Sequence, residues 1–123
     1  MNTKKILIID DDDDVRMVTR ETLALLGTDS IHIEIEEAAD GNSGLEMLQT
    51  NKYDLVIVDY RMPGLDGTEV INRFRIKDDF ATPFVMISGF IGDFEILDDV
   101  NVFYMPKPFE VKQLHSTVSM FLR

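Results

Sequence analysis

The chain has 123 residues, 45% of them hydrophobic, a formal net charge of −11 and no cysteine. That length predicts one domain with a substantial core and no room for a second, and the absence of cysteine excludes disulfides, thiolate metal sites and thiol nucleophiles. The acidity disfavours nonspecific binding to nucleic acid or anionic membranes and favours cations and basic partners, while no apolar run approaches the roughly 20 residues of a membrane span.

The polar opening Met1 to Lys5 does not read as a signal peptide. Ile6 to Ile9 is a continuous apolar run suited to a strand buried on both faces, and Val15, Val18, Thr22 and Leu25 then recur at helical spacing. Ile31, Ile33 and Ile35 alternate with His32, Glu34 and Glu36, the period of two of a half-exposed edge strand. A short helix carrying Leu45 and Leu48 leads to a third strand, Leu55 to Val58. After the turn chemistry of Pro63 to Gly67 comes a helix marked by Val70, Ile71 and Phe74, then a fourth strand, Phe84 to Ile87. The stretch 89–101 is poorly patterned and predicts only a short helix around Phe94 to Asp99. Val102 to Met105 reads as a fifth strand, and the last helix carries Val111, Leu114, Val118 and Phe121. Strands alternating with helices predict right-handed βαβ units and a parallel sheet covered on both faces.

Four of these strands end in polar groups: Asp10 and Asp11 after the first, Asp59 after the third, Ser88 after the fourth and Lys107 after the fifth. In an open parallel sheet, ligands bind outside the carboxyl ends of the strands, so these residues are expected to converge there. Asp59 is the candidate phosphoacceptor. A carboxylate is a poor nucleophile towards an anionic donor, and phosphoryl transfer depends on positioning and on neutralising the equatorial oxygens, so a divalent cation is expected. Magnesium, with its preference for a few carboxylates plus waters and phosphate oxygens, suits the acidic pair. Lys107 offers a compact cation to Asp59 at rest and to a phosphoryl oxygen afterwards; Ser88 offers a hydroxyl. Each residue also has a plainer reading, as helix cap, turn, strand-end hydroxyl or surface charge; Asp12 to Asp14 are read as capping and dipole-complementing charge.

The ordered set of acidic pair, Asp59 in DYRMPGLDG, hydroxyl in ISG and lysine in KPF resembles the receiver domains of two-component response regulators, in particular the single-domain chemotaxis-regulator kind. The resemblance runs nearly end to end and implies a flavodoxin-like fold, strand order 2-1-3-4-5, over residues 1–123. It implies direct magnesium ligation by Asp11, Asp59 and the backbone carbonyl of Arg61, with Asp10 acting through a bound water. It also implies a cis bond between Lys107 and Pro108, and a switch in which Ser88 moves towards the phosphoryl group and Tyr104 turns inward, repacking the face of the fourth helix, fifth strand and fifth helix. The implied function is a cytoplasmic phosphorelay protein, monomeric or weakly dimeric. Its implied donor is a sensor histidine kinase or phosphotransfer protein and its recipient a downstream protein target, with no direct contact to nucleic acid or membrane. Such a protein is not an enzyme with a separate substrate, although it catalyses its own phosphorylation and dephosphorylation.

Two alternatives stand beside this reading. A phosphohydrolase of the haloacid dehalogenase type, with Asp10 and Asp12 as its motif, needs a further strand ending in paired acids after Lys107, where the sequence predicts one helix. A receiver-shaped interaction module that binds partners without phosphorylation is disfavoured by the presence of all five site residues. Some departures from the family pattern carry expectations of their own. The segment between Ser88 and Lys107 is shorter than usual, the segment from Gly27 to Ile35 is longer, and Arg61 with Phe90 predicts slow self-hydrolysis. His32 and His115 are expected to be structural or solvent-facing, and the methionines core filler.

Overall fold

The computed structural model describes residues 2–78, 81–89 and 101–122. Strands β1 (Asn2–Ile9), β2 (Ile31–Ala38), β3 (Leu55–Asp59), β4 (Phe84–Ser88) and β5 (Val102–Pro106) form one parallel sheet in the order β2-β1-β3-β4-β5. The described helices are α1 (Asp13–Ala24), α2 (Gly41–Thr50), α3 (Gly67–Asp78) and α4 (Val111–Ser119). The alternation of strands and helices predicted the parallel sheet, and the observed order is the flavodoxin-like one that the resemblance to receiver domains implied.

The sheet alternation sorts the apolar side chains into two cores. Leu7, Ile9, Val56, Val58, Phe84 and Met86 face α2 and α3, meeting Leu48, Val70 and Ile71. Ile6, Ile8, Leu55, Ile57, Val85 and Ile87 face α1 and α4, meeting Leu23, Leu114 and Val118. Burial on both faces accounts for the uninterrupted apolar runs of β1, β3 and β4.

Several boundaries and faces differ from the sequence expectation. β1 begins at Asn2, because residues 2–5 pair with Ile31 to Glu34 of β2; β3 flanks only Ile6 to Ile9. With one neighbour instead of two, the first half of the strand stays polar and its periodicity is invisible. In the long 27–35 region, residues 27–30 are a loop that leads into an eight-residue edge strand, Ile31–Ala38, paired with β1 along its whole length.

On α1 the buried stripe is Thr19, Thr22 and Leu23, whereas Val18 and Leu25 are 38% and 70% exposed. The helix is phased by its cap at Asp12, whose side chain accepts from the Asp14 and Val15 amides, and by the inward turn of Arg16. Apolar spacing alone does not choose between adjacent stripes. Likewise Val111 of α4 lies at the surface, while Leu114 and Val118 are buried. Met62, Met86 and Met105 fill core, but Met17 and Met120 are exposed. His32 is exposed and His115 half-buried. The helix expected around Phe94 to Asp99 lies outside the described residues, as does Phe90.

Candidate functional site

The carboxyl ends of β1, β3, β4 and β5 carry the polar residues named above. Parallel pairing aligns Ile9 with Val58, Asp59 with Ile87 and Ser88 with Pro106, so residues far apart in sequence share one edge of the sheet. Backbone bonds knit the strand ends together. The Tyr60 amide donates to the Ile87 carbonyl at 2.8 Å, and the Lys107 amide donates to the Ser88 carbonyl at 2.6 Å.

Asp10, Asp11 and Asp59 each place a carboxylate oxygen within 4.8 Å of the others. Asp10 and Asp59 are 3% and 6% exposed, whereas Asp11 faces solvent. The Lys107 ammonium lies 2.9 Å from Asp59 Oδ1. Ser88 is buried at the end of β4, and the Lys107–Pro108 bond is cis. An open cleft of about 570 Å³ beside the acidic group is lined by Asp11, Tyr60, Arg61, Pro63 and Asp66 among others, placing Arg61 at its wall. Tyr104 is half-buried and packs against the core on the α2 and α3 side.

The loop after β3 owes its shape to two glycines. Gly64 has φ +77°, a left-handed conformation strained for any other residue. At Gly67 a Cβ would stand 2.7 Å from the Asp59 carbonyl oxygen and 2.8 Å from Met86 Sδ. The helix α3 can start that close to the acidic site only because this residue has no side chain.

Burial dominates the electrostatics. It pushes the Asp10 carboxyl up to about 6; the Asp12 amide, which donates to Asp10 Oδ1 at 2.9 Å, works against the shift, and the nearby Asp59 charge adds to it. Asp59 is also raised, by burial first, with its hydrogen bond to Lys107 and the charge of Lys107 opposing. For Lys107 burial acts against the charged form, but the hydrogen bond to Asp59 and the fields of the three carboxylates outweigh it, and the ammonium is held above its ordinary range. Three hard oxygen donors, one of them paired with the Lys107 ammonium, match what magnesium takes from a protein: a few carboxylates, with waters and phosphate oxygens completing the shell. The same sheet edge places a buried carboxylate next to an ammonium, with a buried strand-end hydroxyl on the neighbouring strand, the constellation expected for a nucleophilic aspartate.

Motif reading did not single out Arg16. Its guanidinium donates to the Asp10 carbonyl oxygen at 2.5 Å and its Nε lies 3.3 Å from Glu37 Oε1. A signal was present: a cation in the first turn of α1 opposes the helix dipole, which is unfavourable unless tertiary partners hold it.

Comparison with known proteins agrees with this geometry. The family model described as "Response regulator receiver domain" matches residues 6–119. A probable transcriptional regulator, ycf27 of Cyanophora paradoxa, is 32% identical over all of this chain, which spans 50% of that protein; the chain thus covers only about half of several of its curated relatives. Sporulation initiation phosphotransferase F of Bacillus subtilis is 25% identical over 99% of this chain and 96% of its own length. Among solved structures, the response regulator TrrA of Thermotoga maritima, in complex with Mg(2+)-BeF, superposes with a TM-score of 0.82 at 28% identity, covering 96% of this chain and 98% of that one. With a family model spanning β1 to α4 and the acidic cluster, Lys107 and Ser88 assembled at one sheet edge, the chain belongs to the response regulator receiver domains of two-component systems.

Proposed function

We propose that this receiver accepts a phosphoryl group on Asp59 from a phosphohistidine of a sensor kinase or phosphotransfer protein, and signals by a change of conformation read by a downstream protein. The observation that carries the reading is the Asp59 carboxylate, buried at a strand end, 2.9 Å from the Lys107 ammonium and within 4.8 Å of two further carboxylates.

Asp11 and Asp59, with the Arg61 backbone carbonyl, would hold magnesium directly, and Asp10 through water. A bound magnesium ion would neutralise charge on the transferring phosphoryl oxygens. The chain's own residues do the rest. A carboxylate oxygen of Asp59 attacks phosphorus, the P–N bond to the donor histidine breaks, and its electron pair stays on the imidazole. Lys107 shifts from the Asp59 carboxylate to a phosphoryl oxygen, and the Ser88 hydroxyl donates to another. Each of these contacts exists only in the phosphorylated state, so each biases the balance between two packings of the domain. Tyr104, half-buried on β5, would follow Ser88 inward.

Intact mass after incubation with magnesium and acetyl phosphate tests the assignment. One added phosphoryl group, absent in Asp59→Asn and lost on removing magnesium, is expected. An unmodified wild type whose fold beryllofluoride also leaves unperturbed would instead favour a module that binds partners without phosphorylation.

A further inference from the structure

The Asp10–Asp11 turn is clamped from outside the acidic cluster. The Asp10 amide donates to the Ala38 carbonyl of β2 at 3.1 Å, and the Asp10 carbonyl accepts from Arg16 Nη1 at 2.5 Å. The first bond fixes the peptide that precedes Asp10, and the second holds the carbonyl of the Asp10–Asp11 peptide and so orients its plane. Asp11 itself is exposed, so its aim depends on that plane. Arg16 is in turn held on two further sides, by Asp13 Oδ1 through Nη2 and by Glu37 Oε1 at 3.3 Å through Nε. Glu37 keeps its second oxygen for Arg20, 2.5 Å away. The Arg16 side chain is only 14% exposed and Glu37 27%, so the array is not a loose surface pair.

We propose that Arg16, braced by Glu37 at the end of β2, is a positioning residue for the metal site: it orients the Asp10–Asp11 peptide and thereby sets the affinity of the cluster for a divalent cation. The inference rests on the magnesium reading of that cluster. A planar guanidinium is required, because only its fork reaches the Asp10 carbonyl, Asp13 and Glu37 at once; an ammonium on a flexible stem cannot. Outer partners of this kind change metal affinity by about tenfold or more when removed.

Charge gives the opposite sign, which makes the idea testable. Deleting a cation near three carboxylates should tighten binding of Mg²⁺ if Arg16 acts only through its field, and leave it unchanged if Arg16 only stabilises α1. Mg²⁺ alone is titrated into the full chain, followed by backbone amide shifts, at a temperature where parallel melts show every variant folded. Wild-type saturation with Arg16→Gln weakened about tenfold is the expected result, and unchanged or tighter binding by Arg16→Gln overturns the proposal. Should Arg16→Gln fail to fold, Arg16→Lys keeps the charge and is expected to weaken binding as well; wild-type affinity in that variant is equally fatal. Glu37→Gln should weaken Mg²⁺ binding in the wild-type background and add nothing to Arg16→Gln, whereas a fully additive loss removes Glu37 from the device. A wild type that binds no Mg²⁺ overturns the site reading and the inference with it.

Discussion

Replacing Asp10 by asparagine should stabilise the metal-free protein at neutral pH. Asp10 is 3% exposed and its carboxyl is raised from 3.8 to about 6, chiefly by burial. At about 1.36 kcal/mol per pKa unit this corresponds to about 3 kcal/mol of unfavourable free energy in the ionised native state. The sign follows from linkage: a carboxyl whose folded pKa lies above its unfolded value binds more protons in the native state, so stability falls as pH rises from about 4 through 6 and the full cost stands above that window. Asparagine keeps an oxygen to accept the Asp12 amide and carries no charge. Coupling to Asp59 and Asp11 spreads part of the effect, so a gain of about 1–3 kcal/mol at neutral pH is expected, shrinking towards zero near pH 4. Urea unfolding of both proteins in chelator across that range measures it. Saturating magnesium should narrow the difference by stabilising the wild type more than the variant. An Asp10→Asn protein no more stable than wild type at neutral pH in chelator would refute the argument that burial of this carboxylate opposes folding.

Three further changes have definite directions. Lys107→Ala leaves Asp59 buried without the ammonium at 2.9 Å, and should cost about 1–3 kcal/mol at neutral pH, with the loss disappearing in acid as Asp59 takes a proton; pH-resolved urea melts check both parts. Gly67→Ala drives a Cβ to 2.7 Å from the Asp59 carbonyl and 2.8 Å from Met86 Sδ, so a destabilisation of about 1–3 kcal/mol should come with a reduced rate of acetyl phosphate labelling, read by intact mass. Phe84→Ala empties a fully buried site beneath Phe74 and beneath the Arg75 guanidinium, 4.9 Å from the ring, and should cost about 3–5 kcal/mol by thermal unfolding.

How much of this was legible in the sequence depends on which physical force wrote it. β1, β3 and β4 were readable because a strand buried on both faces must be apolar throughout, and Asp10, Asp59 and Ser88 were readable because a polar group terminating such a run has few reasons to be there. The polar half of β1 was not, since Asn2 to Lys5 gain their strand conformation from pairing with β2 and bury little. The stripe of α1 was misread through Val18 and Leu25 because its phase is decided by Asp12, by Arg16 and by the sheet it meets, none of which leaves a periodic trace. Gly67 reads as turn chemistry, yet what requires glycine there is the Asp59 carbonyl, a contact between residues brought together by β3 and α3.

The same distinction explains why the site is assembled at a cost to the fold. Asp10 and Asp59 sit where β1 and β3 emerge from a core that excludes water, and both carboxyls are raised in consequence. A sequence selected for stability alone would place amides or hydroxyls there. Lys107 compensates Asp59 directly, but it reaches Asp10 and Asp11 only through its field, and the remaining repulsion is what a divalent cation in the proposed site would relieve. Because the unfavourable term belongs to the empty, deprotonated state, relief and occupancy are coupled: the cluster should take up a cation more readily as pH rises through 6, the same window in which the metal-free fold weakens.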